Sequence, residues 1–275
     1  MSRARPRRGD RLKDSPARRS APGVAPDRPR ALKYDLCIRI NRYFTDHGIC
    51  SRREADKLVA AERVRINGRV AVHGDSVAEG DRIELDGKAL HVREKEAVVL
   101  AFHKPAGIEC TSDPRVPENI IAAVNYPERV FHVGRLDKFS EGLILLTNRG
   151  ELVNAILRAG HGHEKEYVVE IDRPISDRAL ARMRSGIELD GRKTLPAVAE
   201  RMATRAFRLV LTEGRNRQIR RMCEALEVGV KRLVRVRVMN IELGTLRPGR
   251  WRKLRPEELR ELEGRLGASG ARREP

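Results

Sequence analysis

The chain has 275 residues, enough for one large domain or two smaller ones with a sizeable core. Lysine and arginine number 57 against 39 aspartates and glutamates, and the formal charge of +18 points to a polyanionic partner through Coulomb attraction and counterion release. Aromatics at 4% argue against a broad base-stacking platform, and the four scattered cysteines, with no C-x-x-C pair, argue against a zinc site or a disulfide framework.

Residues 1–35 read as a disordered basic tail. Ten Lys/Arg and three Asp fall within residues 1–30, so this segment holds +7 of the charge and too little apolar surface to fold alone. It is either a solvated tail or a nonspecific RNA-gripping arm. The N-terminus has no apolar core of a signal peptide, and no apolar stretch approaches the ~18 residues needed to span a bilayer, so the expectation is a cytoplasmic protein without a membrane partner.

From residue 36 to about 85 the pattern is that of a compact module. Ile38, Ile40, Tyr43 and Phe44 give a helical face, which Gly48 breaks. Ser51-Arg52-Arg53-Glu54 has the form of a capping box, and Ala55, Leu58 and Val59 continue the second helix. Val64-Arg65-Ile66 alternates as a strand, Asn67-Gly68 is a strong hairpin signal, Arg69–Val72 returns, and Asp81–Leu85 is a further strand turned by Asp86-Gly87. Arg39, Arg42, Arg52, Arg53 and Lys57 are placed to line one face of two helices where a phosphate backbone would lie, with Arg65 beside them; an ordinary solvated face is the alternative. Through S-R-R-E-A-D and V-R-I-N-G-R-V this stretch resembles the small α/β RNA-binding module first known from the fourth small-subunit ribosomal protein. Module and linker together are expected to span residues 36–96.

A second domain is expected over residues 97–262. Val98–Phe102 opens it as a buried strand, and Lys104-Pro105-Ala106-Gly107 is a turn. Strands follow near 130–133, 143–146, 166–171, 207–212 and 234–243, with helices near 151–158 and 216–227. Most strands are short and alternating, which predicts an α+β fold with a mainly antiparallel sheet. The polar end after Leu259 is expected to fray, leaving 263–275 as a disordered tail.

Three constellations carry possible chemistry. Gly134-Arg135-Leu136-Asp137 sets an arginine and an aspartate just ahead of the apolar run Leu143–Leu146. A carboxylate beside arginines is expected to stay ionised, and an ionised carboxylate serves as nucleophile or general base; taken alone the triplet is as easily a surface ion pair. Lys165-Glu166-Tyr167 leads an alternating strand, where the tyrosine is either a half-buried aromatic or a stacking platform with a hydroxyl. Glu213-Gly214-Arg215-Asn216-Arg217-Gln218-Ile219-Arg220-Arg221-Met222 crowds arginines at a helix start that Asn216 is placed to cap. Ile219, Met222, Cys223 and Leu226 form its core face, so Arg217, Arg220 and Arg221 point elsewhere. Cations are disfavoured at that end of a helix, so an anion such as Asp137 or RNA phosphate must offset them. His161-Gly162-His163-Glu164 has no further ligands nearby and reads as a polar loop, so no metal is expected.

In this order and spacing, H-V-G-R-L-D-K-x-S-x-G-L-I-L-L-T-N, L-R-A-G-H-G-H-E-K-E-Y and E-G-R-N-R-Q-I-R-R-M-C-E resemble the pseudouridine synthases of ribosomal RNA, in the RsuA-like branch that carries the same N-terminal module. The resemblance covers residues 36 to about 260. It implies a pseudouridine synthase-like catalytic domain that isomerises uridine, with large-subunit ribosomal RNA as the expected partner, tRNA as a possible second one, no cofactor, and a monomer. It further implies Asp137 as the essential residue, Arg135 holding the flipped nucleotide, Tyr167 stacking on the base, and Arg220 pairing with Asp137. The reaction exchanges the N1–C1′ bond for a C5–C1′ bond, so the product is an isomer and no redox group is required. The base must leave its stack, at a few kcal/mol, which favours loops and bulges. A binding module without catalysis, such as a ribosome assembly factor, would not need Asp137, Tyr167 and Arg220 together. A glycosidic hydrolase would normally ask for a second acid, and no paired carboxylate stands near the motif in sequence.

Overall fold

The computed structural model describes residues 37–90, 96–157 and 162–271. The basic tail to residue 36, linker residues 91–95, residues 158–161 with His161 among them, and the last residues 272–275 lie outside the described residues.

The N-terminal part runs β1 (Ile38–Arg39), α1 (Ile40–Asp46), α2 (Arg52–Ala60), β2 (Val64–Ile66), β3 (Arg69–Val70), β4 (Ser76–Val77), β5 (Ile83–Leu85) and β6 (Lys88–Ala89). The capping box at α2 is formed: the Glu54 amide donates to Ser51 Oγ at 3.2 Å and the Ser51 amide donates to the Glu54 carboxylate at 3.5 Å. Asn67 and Gly68 both have positive φ (51° and 81°), the geometry of the tight turn that joins β2 to β3. The four-stranded sheet β3-β2-β5-β6 and the two helices enclose their own apolar cluster, in which Phe44, Ala55 and Val64 are fully buried. The expectation that Arg39 lies on the first helix is corrected. It pairs with Ser76 in the β1–β4 ladder, and its extended backbone (φ −54°, ψ 138°) places it before α1, which begins at Ile40.

The second part continues with β7 (Val99–Lys104), α3 (Ile120–Val124), β8 (Phe131–Val133), β9 (Glu141–Thr147), α4 (Gly150–Leu157), β10 (Lys165–Ile171), α5 (Asp177–Ser185), β11 (Glu188–Leu189), β12 (Arg192–Lys193), β13 (Val198–Ala203) and β14 (Ala206–Leu211). It closes with α6 (Gln218–Glu224), β15 (Val230–Val238), β16 (Ile241–Glu242), β17 (Trp251–Lys253) and α7 (Pro256–Ala271). A nine-stranded sheet of order β13-β14-β10-β15-β9-β7-β17, with β8 beside β9 and β16 beside β15, forms the backbone of this part. Among the described pairings all are antiparallel except β9 with β15.

The sheet is buried on both faces, which explains why Leu143–Leu146 reads as an unbroken apolar run rather than an alternating one. Ile144 and Leu146 join Leu100 and Phe102 in a cluster with α5 and α6 residues such as Leu180, Met183 and Met222. Leu143 and Leu145 join Val99 and Ala101 in a second cluster with Leu152 and Ile156 of α4 and Leu262 of α7. Full burial of side chains of this size contributes roughly 1.5–3 kcal/mol each.

Two expectations change. The chain after Leu259 does not fray where described. It continues α7 to Ala271, because Leu262 is fully buried and Leu259 and Leu266 pack against the same cluster. The stretch between Ile171 and Phe207 holds α5 and three strands that periodicity alone does not single out, although Ser176 caps α5 by accepting from the Ala179 amide at 3.1 Å.

Candidate active site

The Gly134–Asp137 loop leaves the end of β8 and enters β9. Gly134 adopts φ +75°, a turn that favours glycine. Leu136 is buried in the main cluster, and its amide donates to the Cys110 thiol at 3.3 Å, so the residues on either side are turned outward. Just past Asp137, the Lys138 carbonyl accepts from Lys104 Nζ at 3.0 Å and from the Gly107 amide at 2.8 Å. Lys104 also donates to the Pro105 carbonyl at 2.9 Å. Two independent donors therefore pin the turn that carries the aspartate. The Lys104 ammonium is fully buried, and burial pulls its pKa down to about 8.

Gly142 does more than let a loop turn. At φ +107°, an added Cβ would lie 2.2 Å from the Arg235 carbonyl oxygen, so only glycine lets β9 close against β15. That contact sets Asp137, at the head of β9, beside residues of β15.

Asp137, Arg135, Tyr167, Arg217 and Arg220 line one cleft of about 970 Å³. Arg220 Nε lies 3.9 Å from Asp137 Oδ2, within Coulomb reach but too far for a hydrogen bond, and this buried Nε has no hydrogen-bond partner among the described residues. The rest of the guanidinium is braced at 3.4 Å by the carbonyls of Val230 and Phe139. Tyr167 sits on central strand β10, opposite Leu209 of β14 and Arg235 of β15. Arg135 and Arg217 are exposed at the mouth.

Not every arginine of the third motif enters the cleft. Arg221 pairs with Asp190 at 2.5 Å and is absent from the lining. Arg215 lines the cleft but is already engaged, pairing with Glu213 at 3.2 Å and donating to the carbonyls of Arg192 and Lys193. The expectation that Asn216 caps the helix is corrected: α6 begins at Gln218, and Arg217, in left-handed backbone at φ 46°, precedes it. The Gln218 side chain accepts from the Arg215 amide at 3.0 Å and supports this turn instead. Of the other RNA-binding candidates, Arg52, Arg53 and Lys57 are exposed on α2, Arg42 pairs with Asp46 at 2.9 Å, and Arg39 and Arg65 are exposed while donating to the Gly74 and Gly68 carbonyls.

Several cleft residues carried no signal in the sequence reading. Phe139, 68% exposed, stands at the rim. His132 Nδ1 donates to the Gly134 carbonyl at 2.8 Å, and burial lowers its pKa. The lining also includes two carboxylates besides Asp137, which sequence proximity did not reveal. Glu109 pairs with Lys138 at 3.3 Å, and Glu213 is held by Arg215 and by Gln218 at 2.7 Å. His163 is buried in the cleft wall with Nε2 at 3.3 Å from the Ala155 carbonyl, and no group of three metal-ligating side chains occurs among the described residues.

A carboxyl group beside a guanidinium and a tyrosine, in a cleft rimmed by cations, fits a nucleotide swung out of an RNA strand. Comparison with known proteins agrees. The family model for RNA pseudouridylate synthases matches residues 98–225. The dual-specificity RNA pseudouridine synthase RluF of Escherichia coli O6:H1 is 46% identical over 229 residues, covering 83% of this chain and 79% of that one. The ribosomal large subunit pseudouridine synthase B of Bacillus subtilis is 33% identical, covering 82% of this chain and 95% of the relative. A crystal structure of a pseudouridylate synthase superimposes with a TM-score of 0.60 at 29% identity, covering 82% of this chain and 99% of that one. With this fold, this cleft and relatives matched along most of their length, the chain belongs to the pseudouridine synthase family, in its RsuA-like branch, and is an enzyme that isomerises uridine to pseudouridine in RNA.

Proposed function

We propose that the enzyme modifies a specific uridine of large-subunit ribosomal RNA, with Asp137 as the catalytic carboxylate. The observation that carries this reading is the approach of Arg220 to Asp137 at 3.9 Å in the cleft that Tyr167 also lines. Tyr167 stacks on the flipped base. Arg220 holds the carboxylate in place, and the 3.9 Å gap closes when the nucleotide fills the cleft, as catalytic contacts commonly tighten on substrate binding. Arg135 and Arg217, exposed at the mouth, meet the phosphates on either side of the target. Residues 36–96 serve as the RNA-binding module with its linker, using Arg39, Arg42, Arg52, Arg53, Lys57 and Arg65, and residues from 97 onward form the catalytic domain. The name of one relative supports large-subunit ribosomal RNA, and the dual specificity of another supports a second RNA substrate, for which we propose tRNA. The protein acts in the cytoplasm as a monomer.

The test compares the wild type with Asp137→Asn on unmodified ribosomal RNA, following tritium release from C5 of uridine and RNA binding in parallel. Release by the wild type, with binding but no release by the variant, is the expected result. Release by Asp137→Asn at the wild-type rate would remove Asp137 from the chemistry.

A further inference from the structure

Three arginines of β15 have different surroundings. Arg232 pairs with Glu141 at 3.1 Å, and Arg237 pairs with Glu166 and Glu164, each at 2.9 Å. Arg235, between them, makes no ion pair among the described residues, yet it is only 4% exposed. Its hydrogen bond there runs from Nε to the Leu143 carbonyl at 2.7 Å, which leaves the Nη side of the guanidinium without a protein acceptor among the described residues. A guanidinium withdrawn from water without a carboxylate is costly, so its retention calls for an anion that the protein does not supply.

Two lysines nearby deepen the imbalance. Lys104 is fully buried and donates to two backbone carbonyls, and Lys165 donates to the His163 carbonyl at 3.0 Å; neither has a carboxylate partner among the described residues. Burial lowers the pKa of both and the Arg235 charge acts in the same direction in each, while in Lys104 the nearby Cys110, Glu141 and Asp137 act in the opposite one, so the three cations stand within each other's field.

The cleft is where the missing anion belongs. Arg235 and Lys165 line it together with Tyr167 and Asp137. Arg235 is the cross-strand partner of Tyr167, so both side chains rise from one face of the sheet. Depth then sorts the cations. Arg135 and Arg217 are exposed at the mouth, Arg220 is intermediate, and Arg235 is buried. When a nucleotide swings out of its strand, the phosphates stay with the strand and the base travels deepest. The mouth therefore meets phosphate, and the floor meets the base.

We infer that Arg235 receives the uracil of the flipped uridine, donating from its guanidinium to a base carbonyl, O2 or O4, and stabilising the negative charge that the base carries once detached. This rests on the uridine-isomerising reading of the same cleft. The electron count agrees. When N1–C1′ breaks, the bonding pair leaves with N1 and spreads over the carbonyl oxygens of the uracil anion. The base turns, a pair from C5 forms the C5–C1′ bond, C5 gives up its proton, and N1 takes one up, so the product is an isomer. A fixed cation at those oxygens binds the detached anion more tightly than the neutral base, and this lowers the barrier rather than the KM.

The experiment uses Arg235→Gln and Arg235→Lys in the full chain, with RNA fragments that carry the mapped target uridine as uridine, 2-thiouridine or 4-thiouridine, each tritiated at C5. Thermal melting and RNA binding are measured alongside. For Arg235→Gln the expected result is a kcat loss of about 100-fold or more, the size seen when one oxyanion donor is removed, with KM and RNA affinity within a few-fold. Arg235→Lys, which keeps the charge, loses less. At one of the two sulfur positions, the wild type slows while Arg235→Gln slows no further, the non-additivity of a direct contact. Additive losses at both positions, or a loss confined to KM, would overturn the inference and leave Arg235 on a phosphate. Failure of both variants to melt like the wild type would make it a scaffold residue. Wild type that is idle on every ribosomal RNA overturns the functional reading itself, an outcome distinct from all of these.

Discussion

Gly142→Ala tests the architecture that brings Asp137 to β15. The alanine Cβ would lie 2.2 Å from the carbonyl oxygen and 2.5 Å from the amide nitrogen of Arg235, backbone atoms that cannot rotate away. The φ of +107° is a second obstacle. Backbone strain of this kind costs about 1–3 kcal/mol. Forcing packed strands apart adds about 1–3 kcal/mol. The expected loss is on the order of 4 kcal/mol, a large share of the ~5–15 kcal/mol that holds a domain folded. Gly107→Ala is the control, since Gly107 has a similar φ of +90° but nothing within 4 Å of its would-be Cβ. It should show the backbone cost alone. Urea unfolding followed by circular dichroism measures both, as midpoint shifts at constant slope. Equal losses in the two variants, within about 0.5 kcal/mol, would refute the claim that Gly142 is required by the approach of β15.

Other expectations can be measured on the same protein. Lys104→Met should alter the pH dependence of stability: the folded lysine titrates near 8 and the unfolded one near 10.5, so the unfolded chain binds more protons between these values and wild-type stability rises with pH across that window. At about 1.4 kcal/mol per pH unit the rise is at most on the order of 3 kcal/mol, and urea midpoints at pH 8 and 10 should show it in the wild type but not in the methionine variant. Arg217→Ala should reduce the slope of log affinity against log salt by about one ion, while Arg221→Ala, whose guanidinium is engaged by Asp190, should leave it nearly unchanged; a larger effect from Arg221 would move the RNA path. Ser51→Ala should destabilise α2 by about 1 kcal/mol and speed hydrogen exchange at its first-turn amides; unchanged exchange there would mean the cap contributes nothing.

Much of this protein is written locally. The Ser51–Glu54 box and the Asn67-Gly68 turn were legible because both depend on neighbours in sequence. Asp137, Arg135, Tyr167 and Arg220 were singled out because three motifs together resemble a family, and the fold brings all four to one cleft. Arg235, Lys104 and Lys165 were not found. Arg235 and Lys104 sit in strands among mainly apolar neighbours and Lys165 sits between Glu164 and Glu166, and nothing in the local sequence says whether a carboxylate lies opposite. Glu109 escaped for the same reason, being 28 positions from Asp137, and Glu213, though part of the third motif, gave no sign that it shares a cleft with Asp137 76 positions away. The helical end after Pro256 was misread because α7 owes its order to Leu262 docking on the sheet rather than to composition.

The order of the strands also bears on how this enzyme is born. Asp137 precedes β9, but β9 finds β15 beside it only after the chain through Val238 exists. By then the module that ends at β6 has long been synthesised, and domains tend to fold in turn as they emerge during translation. A chain still being synthesised can therefore close the apolar cluster of its first part well before the cleft around Asp137 can form.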